Sequence, residues 1–109
     1  MIESLVGSLN REKILVFIYA RQEGYAREIA RFSDTDLFNI QRQLDNMERG
    51  GILYSRMIGR TRLYAFNPRY AFLPELKSLL EKTLSFYPKG IQIELTENRR
   101  RPRRRGKPL

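Results

Sequence analysis

A chain of 109 residues with 41% hydrophobic content is sized for one domain with a modest core, and its apolar run "ILVFIYA" (14–20) falls far short of a membrane span. Zero Cys and zero His exclude disulfides, zinc fingers, thiol or imidazole nucleophiles and most transition-metal sites, so no cofactor or metal is expected and catalysis would rest on carboxylates and lysines alone. The net charge is +9, from 21 Lys and Arg against 12 Asp and Glu, and seven of those cations lie in the acid-free stretch 98–109.

Met1 to Gly7 lacks the basic start of a signal peptide, which predicts a cytoplasmic protein without membrane contact. From Asn10 to Gln22 the chain is helix-compatible, with Asn10 as cap and Gly24 as stop. Its middle is apolar nearly all round, which predicts a central position or a second subunit against it. "YAREIARF" (25–32) follows as a short helix with Ile29, Ala30 and Phe32 inward. After "SDT", a longer helix runs over 36–49, capped by Asp36 and ended by Gly50-Gly51. Leu37, Ile40, Leu44 and Met47 form its continuous apolar stripe. Two helices across a short turn are a helix-turn-helix arrangement.

A hairpin is expected next, over 52–66. With Gly59-Arg60 as a two-residue type II′ turn, Ile58 pairs with Thr61, Ser55 with Tyr64 and Leu53 with Phe66. Leu53, Tyr64 and Phe66 then share the face that closes over the helices. Residues 72–87 read as a helix with Pro74 in its first turn and Pro88 beyond its end. Its broad apolar side predicts a dimer interface made by Leu76, Leu79, Leu80, Leu84 and Tyr87 together with Phe17. "IQIELTE" (91–97) alternates, so 89–97 is expected to be a short strand or linker after a first unit of 1–88. The basic block 98–109 is expected to be a disordered tail. The fold class is therefore mainly α with a small β-hairpin.

Between Glu48 and Glu75 there is no acidic residue, while arginines stand at 56, 60, 62 and 69. Asp or Glu there would repel a polyanion, so the gap points to phosphates. Opposite the apolar stripe of 36–49 lie Phe38, Asn39, Arg42, Asn46 and Arg49, the side a major groove would meet. Asn39 suits adenine, Arg42 suits guanine or a phosphate, and Phe38 suits a thymine methyl. Arg56, Arg60 and Arg62 suit backbone phosphates, with Arg60 at the tip able to enter a minor groove. In the tail, Arg105-Gly106-Lys107-Pro108 is similar to the Arg-Gly-Arg-Pro core of AT-hooks, and Arg103 adds to its charge. The same block also fits non-specific attraction alone.

The chain also resembles the winged helix-turn-helix transcriptional regulators of the ArsR-like type. The matching stretches are "REKIL" (11–15), "YAREIARF" (25–32), "IQRQLDNMERGGIL" (40–53), "GRTRLYAFNP" (59–68) and "LPELKSLLEKT" (73–83), spread over residues 5–87. The resemblance implies a winged helix domain that binds double-stranded DNA as a repressor or activator, commonly as a homodimer. Residues 36–49 would be its recognition helix and the loop at Gly59-Arg60 its wing. Two departures stand out. Asp34 and Thr35 occupy turn positions where the family often has Gly and an apolar residue, and the Cys and His ligands of metal-sensing members are missing. A protein-interaction module of the antitoxin-like or accessory-subunit kind, or an RNA binder, remains an alternative, and no effector is identified. No pair of carboxylates is marked as an acid/base couple and no phosphate-binding Gly-rich loop occurs, so an enzyme is not expected.

Overall fold

Six helices and a three-stranded antiparallel sheet follow one another in the computed structural model, which describes residues 1–97. The tail, with Arg103, Arg105 and Lys107, lies outside the described residues. After a single helical turn, α1 (Glu3–Val6), comes the central helix α2 (Leu9–Arg21). Ser8, not Asn10, caps it, accepting the Arg11 amide at 3.1 Å, while Asn10 accepts the Thr35 hydroxyl at 3.0 Å. Ile14 to Ile18 are all buried, so the all-round apolar run marks a core helix. Each such side chain contributes about 1.5–3 kcal/mol of burial.

The helix stops at Gln22, whose backbone is left-handed (φ 76°), and Gly24 serves a different purpose from the expected stop. It sits in a strand that sequence reading missed, β1 (Glu23–Tyr25), where a Cβ would stand 2.7 Å from Phe17 Cε1. Next come α3 (Ala26–Ser33) and α4 (Leu37–Arg49), then β2 (Leu53–Ile58) and β3 (Thr61–Phe66). The expected register is present: Ile58 faces Thr61, Ser55 faces Tyr64 and Leu53 faces Phe66. Gly59 has φ 63° and Arg60 is not left-handed, the pattern of a type II′ turn. β3 is the middle strand, with β1 on its other side, so the hairpin is part of a three-stranded sheet.

The last two helices are α5 (Leu73–Ser85) and α6 (Lys89–Glu97). The second corrects the expected strand or linker at 89–97. Ile91 and Leu95 stand four positions apart, which on a helix puts them on one side, and Leu95 is fully buried in the shared core whereas Ile93 is exposed. An alternation of three apolar residues suits either period, and packing decided it. The dimer expectation is also corrected for Phe17, Leu80 and Leu84, which are sealed within the chain's own core. Leu76, Leu79 and Tyr87 are only partly covered. Among the described residues no helix is long and apolar enough to cross a membrane.

A buried carboxylate ties the ends of this body together. Glu12 on α2 accepts hydrogen bonds from the Ile2 amide at 2.7 Å, the Met1 ammonium at 3.0 Å and the Tyr87 hydroxyl at 2.5 Å. Burial pushes its carboxyl up, but the Tyr87, Met1 and Ile2 donors together hold it below the usual glutamate value. Burial and the adjacent Glu12 push the Tyr87 hydroxyl well above the ordinary tyrosine range.

Candidate nucleic-acid interface

The turn between α3 and α4 is built from short polar side chains. Asp34 takes the left-handed position (φ 54°) that closes α3, a conformation Asp tolerates better than most residues. The Thr35 hydroxyl reaches back to Asn10 on α2, and Asp36 caps α4 by accepting the Asn39 amide at 2.8 Å. With Ile40, Leu44 and Met47 buried, the helix has one possible outer side. Phe38, 71% exposed, projects from its first turn, and the Arg42 guanidinium lies 5.9 Å from that ring. Arg42, Asn46 and Arg49 are exposed as expected, whereas Asn39 is half-buried. At about 100° per residue, Asn39 and Asn46 fall on the flank away from Gln41 and Asp45.

Two side-chain links hold the hairpin to α4. The Ser55 hydroxyl donates to Glu48 Oε2 at 2.9 Å and accepts from Arg62 Nη1 at 3.0 Å. The Tyr64 hydroxyl donates to Asp45 at 3.5 Å, and burial first, then the charges of Asp45 and Glu48, raise its pKa. Strand alternation separates the expected wing arginines. Arg62 is on the sheet face shared with Ser55 and Tyr64, while Arg56 is on the other face, 3.5 Å from Glu23 in an ion pair. Arg60 is exposed at the tip.

Between hairpin and helices runs a cleft of about 440 Å³ lined by Arg27, Gln41, Asp45, Met57, Arg60 and Arg62. It unites Arg60 and Arg62 with two residues that the sequence pattern passed over. Arg27 lies in "YAREIARF", and the pairing of β1 with β3 brings the start of α3 beside the hairpin. Gln41 lies between the apolar stripe and the outer side, so its use depends on where the sheet packs. Phe38, Asn39, Arg42, Asn46, Arg49 and Arg56 do not line this cleft. A second open cleft of about 630 Å³ lies between α2, β3, α5 and α6, with Ile18, Phe66, Lys77, Glu81 and Gln92 in its walls. No protein-family model matches the chain, and no curated protein matches it at a significant level.

Proposed function

We propose that this is a winged helix-turn-helix protein that binds double-stranded DNA sequence-specifically as a transcriptional regulator. On this reading α4 enters the major groove with Phe38 and Arg42 on base edges and Arg49 toward the backbone. The β2–β3 hairpin is the wing, and Arg60 and Arg62 meet phosphates. The observation that carries the reading is the exposure of Phe38 beside Arg42 on an otherwise polar helix side. An aromatic ring left in water gains nothing for folding, and a thymine methyl in the groove gives it an apolar surface to cover. The acid-free stretch from Arg49 to Pro74, folded into the adjoining hairpin, adds the charge that phosphates require.

The reading extends to a cytoplasmic homodimer that pairs through the C-terminal helices, where Leu76, Leu79 and Tyr87 keep some exposure and Phe86 and Ile93 are open. Its half-sites would then lie about one helical turn apart. The decisive experiment is selection of bound sequences from a random duplex pool. Enrichment of one motif, palindromic for a dimer, is the expected result. Binding without preference over bulk DNA at moderate salt would refute specific regulation, and preferential competition by RNA would replace duplex DNA as the partner.

A further inference from the structure

We infer that the cleft between the hairpin and helices α3 and α4 is an anion seat for one phosphate, with Arg27 as its third cation beside Arg60 and Arg62. The inference rests on the DNA reading for the source of that phosphate, a nucleic-acid backbone, but the seat itself rests on geometry. Its three arginines come from α3, from the β2–β3 turn and from β3, so they converge only in the folded chain. Among the described residues neither Arg27 nor Arg60 forms an ion pair.

Arg62 is the fixed member. One of its N–H groups donates to Ser55 Oγ, which is itself anchored on the Glu48 carboxylate, so its guanidinium is held with most of its five donors unspent. Thr61 and Gln41 line the same cleft and supply uncharged donors. The acid in the lining is Asp45, which accepts from Tyr64 and removes one charge, leaving a net +2 from the three arginines. Rigid guanidinium forks arriving from three directions suit a tetrahedral oxyanion, which offers acceptors all round.

Two measurements on the full chain test this. In the first, arginine Nε–Hε resonances are followed as inorganic phosphate is added. Those of Arg27, Arg60 and Arg62 are expected to shift together and saturate with one constant, and Arg27→Ala is expected to abolish saturation at the other two. A linear drift common to all exposed arginines overturns the seat. In the second, binding to the selected duplex is measured across a salt series for wild type, Arg27→Ala and Arg31→Ala. Arg31 serves as control because it lines a separate recess with Arg21 and Glu94.

Arg27→Ala is expected to flatten the plot of log affinity against log salt by about 0.9, and Arg31→Ala to leave it unchanged. Asp45→Asn is expected to tighten binding roughly two- to fourfold by removing one repulsive charge. Duplex binding in which Arg27→Ala and Arg31→Ala behave alike overturns the seat and leaves the DNA reading intact. Saturable phosphate binding by a chain that ignores duplex DNA does the reverse, keeping the seat as a site for free phosphate.

Discussion

Tyr87→Phe isolates the interaction that fastens the turn between α5 and α6 to the core. In the native chain Glu12 Oε1 has two donors, Met1 and Ile2, whereas Oε2 has the Tyr87 hydroxyl. Removing that hydroxyl leaves one oxygen of a 1%-exposed glutamate without its donor. A hydrogen bond to a charged group contributes about 1.5–3 kcal/mol net, so the variant should lose that much stability at neutral pH. For a domain of this size the loss corresponds to a fall in Tm of roughly 6–15 °C.

The pH dependence follows from the direction of the two shifts. Glu12 is held below its unfolded value, so its contribution is present above the usual glutamate pKa of about 4.3 and is lost as pH falls through the lower, folded value. Tyr87 is raised, so its contribution is complete below about pH 10 and is lost at higher pH. Urea titrations of wild type and Tyr87→Phe should therefore differ widely at pH 7 and by progressively less as pH falls below the usual glutamate value of about 4.3. A difference below about 0.5 kcal/mol at pH 7, or one that persists undiminished in acid, would show that the carboxylate does not depend on this donor.

Other consequences are open to direct measurement. Leu95→Ala should cost about 2–5 kcal/mol in chemical denaturation, because α6 belongs to the core; a neutral result would return 89–97 to the status of a linker. Gly24→Ala should cost about 1–3 kcal/mol, since the new methyl meets Phe17, whereas Gln22→Gly should raise stability by about 0.5–1 kcal/mol in the same melts by relieving a left-handed backbone. On the DNA reading, Arg42→Ala should lose about 1–3 kcal/mol of discrimination at one base pair while leaving Tm unchanged. Equal losses on every duplex in a competition assay would assign Arg42 to a phosphate instead.

Much of the local structure was legible in the chain. The apolar stripe of α4, the Asp36 cap, the turn at Gly59-Arg60 and the resulting strand register all depend on neighbours a few residues apart, which periodicity and turn chemistry encode directly. The outward placement of Phe38, Arg42 and Arg49 follows from the same periodicity, because burial of one side of a helix exposes the other.

What the sequence alone left open were the features set by long-range contacts. Gly24 was legible as a helix breaker, yet the pairing of β1 with β3 turns it into a strand residue fitted against Phe17. The apolar residues of 91–97 fit a strand by alternation and a helix by the spacing of Ile91 and Leu95, and the shared core selects the helix. Phe17, Leu80 and Leu84 were apolar enough for a partner's surface, but the domain's own core takes them. Arg27 joins Arg60 and Arg62 because the three-residue strand β1 and the packing of α3 hold its start beside the hairpin. Local pattern determined which side chains could face water, and the packing of distant segments decided which of them would meet.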